Sequence, residues 1–184
     1  MTRFLRIGLA TVAALVAIAP AARAAEAIVP WGAGCGSILP GGQRTSSTCG
    51  AELVDGRAIA PPQAPPAVWA VIAAANRIHG RPYVWGGGHR SFLSRGYDCS
   101  GAVSYALHGA GLLEATMVSG QLATWGEPGL GRWITVYANP DHVYMVVAGL
   151  RFDTRDDLPG VSGPRWHRAL VDPTRFAARH PAGL

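Results

Sequence analysis

The chain contains no lysine; all 16 of its basic residues are arginine. With its many alanines, glycines and prolines, this reads as GC-rich codon usage rather than as a designed binding face. No basic stripe is interleaved with aromatic residues, so the usual footprint of a nucleic-acid partner is missing and none is expected. No internal repeat occurs. Cys99 and the histidines at 79, 89, 108, 142, 167 and 180 show no recognised metal-ligand spacing, so no metal is expected. The one long apolar run, "IGLATVAALVAIA", falls short of the roughly 20 residues of a comfortable membrane span.

That run is better explained as part of an export signal. "MTRFLR" supplies the basic start, and "AARA" offers small residues in an A-x-A pattern after Pro20. Cleavage after Ala24 is expected, leaving residues 1–24 as signal peptide and a secreted, extracellular or wall-associated product with no membrane segment. Loss of Arg3, Arg6 and Arg23 takes the formal net charge from +5 to +2, so the basic character belongs largely to the leader.

Cysteine is scarce, with three in all, and export makes their arithmetic informative. Cys35 and Cys49 bracket "CGSILPGGQRTSSTC", a loop with too little apolar material to fold alone. A disulfide between them would staple it, contributing roughly 3 kcal/mol in the chain-entropy picture. Cys99 is then left as a single thiol.

Residues 25–65 are rich in glycine and proline and end in "APPQAPP", which reads as an extension or linker. From Pro66 the texture changes. "PPAVWAVIAAANRIHG" places Val68, Ile72 and Ala75 on one helical face, with Gly80 as a stop. A second helix follows Cys99, where Ala102, Val103, Ala106, Leu107 and Ala110 recur at three and four, Asp98 is a good N-cap, and Gly109 or Gly111 ends the run. After "EATMVSGQLATWGEPGLG", a loop with room for one helical turn, the period becomes two. "RWITVYA" and "HVYMVVA" read as strands joined by a turn at Asn139-Pro140-Asp141, with "LRFDT" a third strand and "RFAARH" a fourth. Helices followed by antiparallel strands predict an α+β domain over 66–184.

The position of Cys99 admits several readings. It can be a small buried hydrophobe, or a thiol whose anion is stabilised by the unpaired N–H groups of a helix N-terminus. A nucleophile also needs a base and a group to orient that base. His142, opening a strand after a turn and so expected at a sheet edge, is the best candidate base. Asp153, across the Gly149 hairpin, fits the orienting group by pattern, with Thr154 and His167 as alternatives. The arginines between 151 and 179 read as a solvated face interleaved with Asp156, Asp157 and Asp172.

"RPYVWGG" followed by "GYDCSGAVSYAL" resembles the signature of the NlpC/p60 cell-wall cysteine peptidases, over most of residues 66–154. The resemblance implies a papain-like α+β fold with the nucleophile helix packed on an antiparallel sheet. It implies hydrolysis of peptidoglycan stem peptides, commonly between γ-D-glutamate and a diamino acid, with muropeptides as partners and no cofactor. Carried over by position, Cys99 would be nucleophile, His142 general base and Asp153 the third polar residue, while Tyr83, Asp98 and Ser100 would line the substrate pocket. Two departures stand out. Arg132 occupies the place of a usual aspartate before the histidine strand, and the tail "GPRWHRALVDPTRFAARHPAGL" has no counterpart. They keep two rival readings open, an inactive wall-binding module of the same fold and an N-acetylmuramoyl-L-alanine amidase. The sequence carries no signal for an oligomeric state.

Overall fold

The computed structural model describes residues 50–155 and 162–184. The expected signal peptide over 1–24, the Cys35 and Cys49 pair, and Asp156 and Asp157 lie outside the described residues. In chain order the elements are β1 (Glu52–Val54), β2 (Arg57–Ile59), α1 (Pro66–Ile78), α2 (Cys99–His108), α3 (Ser119–Leu122), β3 (Glu127–Pro128), β4 (Ile134–Ala138), β5 (Val143–Val147), β6 (Leu150–Arg155), β7 (Ser162–His167) and β8 (Ala177–His180). The architecture is α+β: six antiparallel strands in the order β3-β8-β4-β5-β6-β7, with α1 and α2 on one face. Among the described residues no helix is long and apolar enough to cross a membrane.

The helices form where the apolar spacing placed them. Val68, Val71, Ile72 and Ala75 of α1 and Ala102, Val103, Ala106 and Leu107 of α2 are buried against Ile134, Val136, Met145 and Phe152 of the sheet. Pro66 at the start of α1 loses nothing, because the first helical N–H groups have no intrahelical acceptor. Strands β4 and β5 are buried on both faces. The side away from the helices holds a second small cluster, Tyr137, Tyr144 and Val146, covered by Leu170, Phe176 and Ala178.

That cover is supplied by the tail. After β7 forms one edge of the sheet, residues 168–176 run to the far side and β8 inserts between β3 and β4. The expected fourth strand at "RFAARH" is therefore present, while β7 and β3 were not foreseen. Nor does the strand after His142 lie at an edge as expected: β5 is flanked by β4 and β6. His142 precedes its first residue, so the imidazole sits at the end of an interior strand.

The stretch read as a linker is partly built into the domain. Asp55 and Gly56, both at positive φ (48° and 76°), form a two-residue turn that pairs β1 with β2. Asn76 of α1 clamps this hairpin: its Nδ2 donates to the Ala58 carbonyl at 2.8 Å and its Oδ1 accepts from the Ala58 amide at 3.1 Å. The same Oδ1 accepts from Trp166 Nε1 at 2.8 Å, tying hairpin, helix and sheet edge together.

Candidate active site

The first turn of α2 is locked to the glycine loop before it. Asp98 caps the helix, accepting at Oδ1 from the Gly101 amide at 2.8 Å and from Ser100 Oγ at 3.1 Å. Its other oxygen accepts from the Gly86 amide at 3.0 Å and meets His89 Nε2 at 2.8 Å. His89 Nε2 also lies 3.0 Å from Ser100 Oγ. Asp98 and Ser100, expected to grip substrate, are thus buried and bonded to neighbouring protein groups. His89 was missed as a member of this cluster, since nothing in local spacing marks it.

The loop approaches so closely that side chains are excluded. A methyl group on Gly101 would collide with the Gly87 carbonyl oxygen, and one on Gly88, at φ +90°, would press on Gly101 Cα. Gly101→Ala is expected to lower stability by about 3 kcal/mol, as overpacking against backbone does. Chemical denaturation checks this; an unchanged midpoint would mean that the loop yields freely.

Cys99 is partly exposed at the start of α2, and it is a free cysteine. Helix geometry leaves the first N–H groups without intrahelical acceptors. The amides of Cys99 and Ser100 have no acceptor among the described residues, whereas that of Gly101 is capped by Asp98. Tyr83 stands near the thiol, bridged through its backbone to Tyr97. Burial raises its phenol pKa, and negative charge on Cys99 and Asp98 adds to the effect.

His142 reaches the thiol from the sheet. The turn before it is fixed by Asn139, whose Oδ1 accepts from the amides of Asp141 at 3.0 Å and His142 at 2.9 Å. The imidazole Nε2 lies 2.9 Å from Asp153 Oδ1, and both groups are buried. The Cys99 thiol also acts on the ring, favouring its protonated form. Burial works to lower the His142 pKa, but the hydrogen bonds to Asp153 and Cys99, with their charges, outweigh it and raise it to about 9. At neutral pH the ring is therefore held protonated.

Asp153 is held as a carboxylate acceptor by more than the histidine. Its Oδ1 also accepts from the amides of Thr154 at 2.7 Å and Arg155 at 3.1 Å, and Arg151 Nε lies 3.7 Å from Oδ2. Arg151 is one of the most buried large side chains, contrary to the solvated face expected of these arginines. Of the two alternatives for the third residue, Thr154 Oγ1 is buried without a hydrogen-bond partner among the described residues, and His167 pairs across from Arg151 on β7. Arg132, the departure noted before the histidine strand, is exposed ahead of β4.

Beside the imidazole lies a cavity of about 190 Å³ lined by Asn139, Asp141, His142, Arg155, Arg175 and Phe176. Among the described residues no group of three or more His, Cys, Asp or Glu is placed to hold a metal ion.

Comparison with solved structures finds similar chains. The chain is similar to NlpC/p60 domain proteins. It shares 26% identity with the peptidoglycan hydrolase RipB from Mycobacterium tuberculosis, with a TM-score of 0.48 over 61% of this chain and 64% of that one. For the resuscitation promoting factor interacting protein RipA the values are 24%, 0.46, 62% and 62%. RipD from Mycobacterium tuberculosis, a non-catalytic NlpC/p60 domain protein with a peptidoglycan-binding function, shares 22% with a TM-score of 0.47, over 63% of this chain and 98% of that one. The chain thus spans less than two thirds of the RipA and RipB structures. No protein-family model and no curated protein matches it.

Proposed function

We propose that this chain is an exported cysteine peptidase of NlpC/p60 type that hydrolyses peptidoglycan stem peptides at the bond between γ-D-glutamate and a diamino acid. The observation that carries the reading is the single imidazole with Asp153 on one side and Cys99 as its other partner. A thiol beside a base that is itself oriented by a carboxylate is the arrangement nucleophilic acyl transfer requires.

The reaction follows from these groups. With the proton on His142, the Cys99 thiolate forms a C–S bond to the scissile carbonyl carbon, and the carbonyl electron pair moves onto oxygen. The free amide of Cys99 at the helix start stabilises that oxyanion. Collapse breaks the C–N bond as His142 passes its proton to the departing amine. Water then attacks the thioester, gives a proton to His142 and releases the acid, restoring the thiolate. Tyr83, close to the thiol and partly exposed, is suited to contact the acyl portion.

Digestion of defined muropeptides with product masses tests the reading. The expected products end in γ-D-glutamate on one fragment and a free diamino acid amine on the other. Release of the intact stem peptide from its lactyl group would make the protein an amidase instead. Binding of peptidoglycan without any released peptide, and a Cys99 that resists iodoacetamide, would make it a wall-binding module.

A further inference from the structure

An imidazole that serves a thiol has to keep one orientation. Asp153 meets its Nε2 at 2.9 Å, which leaves Nδ1 as the nitrogen for the thiol proton. The outer torsion of a histidine is broad, so one hydrogen bond at one end does not by itself fix the plane of the ring. His142 and Tyr144 are two residues apart at the start of β5, and their side chains leave the same face of the sheet. That face is the one away from α1 and α2, where Tyr144 is buried with Tyr137 and Val146. The helices therefore cannot cover the imidazole from this side.

The tail supplies the cover. The Phe176 amide donates to the Pro173 carbonyl at 2.9 Å, closing a turn, and the Thr174 amide donates to Asp172 Oδ1 at 3.0 Å. Asn139 Nδ2 donates to the Arg175 carbonyl at 3.1 Å, while Oδ1 of the same side chain accepts from the His142 amide at 2.9 Å. The next residue, Ala177, opens β8 and pairs with Ala138. Phe176 is thus pinned on both sides to the turn that carries His142. Its ring is inclined at 70° to the imidazole with centroids 6.3 Å apart, and stands edge-on to Tyr144 at 5.1 Å. Tyr144 in turn lies 6.3 Å from the imidazole, so the three rings form a triangle at separations where aromatic pairs attract. Tyr137 stacks behind Tyr144 at 5.1 Å. His142 is left 5% exposed, and the cavity of about 190 Å³ beside it has Phe176 in its wall.

We propose that Phe176 is a positioning residue for the reaction: with Tyr144 it holds the plane of the His142 ring, and it keeps water off the bond between that ring and Asp153. The effect on rate rests on the peptidase reading above; the effect on the ring does not. Phe176 acts through His142 and takes no part in bond making. Trimming it would widen the cavity onto the imidazole, admit water to the pair and let the ring turn away from the thiol. The tail that has no counterpart in the signature thereby becomes a working part of the site.

The test sets Phe176→Ala beside Leu170→Ala, a loss from the same cover that leaves the aromatic triangle intact. F176A is expected to lower kcat about 10- to 100-fold with KM little changed, the scale of loss when a reacting group is misplaced by about an ångström. L170A should keep kcat within about twofold. Phe176→Tyr keeps the ring and, at a half-buried position, can send its hydroxyl to solvent, so it should retain most of the rate. Proton NMR at neutral pH reads the ring itself. The imidazole N–H bonded to Asp153 should give a sharp downfield signal in the wild type and in L170A, and one broadened by exchange with water in F176A. Where F176A does not fold, Phe176→Leu, which fills the space without a flat ring, is expected to broaden the signal in the same way. A signal that stays sharp in the variant would overturn the proposal whatever its rate, as would a wild-type signal already broadened. Equal losses of kcat in F176A and L170A would also overturn it, making the tail a structural cover only. A wild type that cleaves no muropeptide, with its signal sharp and that of F176A broadened, would refute the peptidase reading and leave the positioning role in place.

Discussion

Cys99→Ala is expected to abolish turnover, lowering kcat/KM by on the order of 10⁴-fold or more, as loss of a covalent nucleophile does. Its fold should be untouched. Alanine is the best helix former, Cys99 sits partly exposed at the first position of α2, and the junction around it is held by Asp98 and Gly101. The melting temperature should therefore move by no more than about 2 °C. Product masses from muropeptide digestion and a thermal melt, run on both proteins, check the two halves. Wild-type rates in C99A would end the thiol mechanism. A large drop in melting temperature would mean that the sulfur matters for packing, and the loss of rate would lose its meaning.

Asp153→Asn should cost about 100-fold in kcat/KM and reshape the pH profile. The sign follows from the direction of the shift. The folded His142 pKa stands above its ordinary value of 6.5, at about 9, so the proton needed by the leaving amine is retained through neutral pH and lost as pH rises through about 9. The wild-type rate should fall on the alkaline side there. An asparagine can still accept at its carbonyl oxygen but carries no charge, so the imidazolium loses its chief stabilising partner and the fall begins at lower pH. Initial rates between pH 6 and 10 measure both. A D153N profile that overlays the wild type would show that the carboxylate has no hold on the imidazole proton.

Much of this site is legible in the sequence because it rests on local rules. The cap at Asp98, the helix after Cys99 and the alternation around His142 each follow from spacing within a few residues. Even the contact between His142 and Asp153 could be anticipated, because a two-residue turn at Ala148 and Gly149 fixes the register of β5 against β6. What escaped depends on distance along the chain. His89 joins the site only through the fold of the glycine loop onto α2, and Arg151 reads as one surface arginine among many until β7 and the rest of the sheet enclose it. The β1 and β2 hairpin is a different case. Asp-Gly between short apolar segments is a strong local hairpin signal, but the surrounding prolines and glycines set the reading as a linker. Strand β7 lies in a stretch with Gly163 and Pro164, residues that argue against an interior strand and are tolerated at the edge it occupies.

The insertion of β8 between β3 and β4 has a consequence for how the molecule comes into being. The sheet that carries His142 cannot close until β8 has been made, because this inner member follows every other described strand in chain order. A nascent or shortened chain would hold the thiol helix long before it held a finished platform for the imidazole, so competence arrives in one late step and not by degrees.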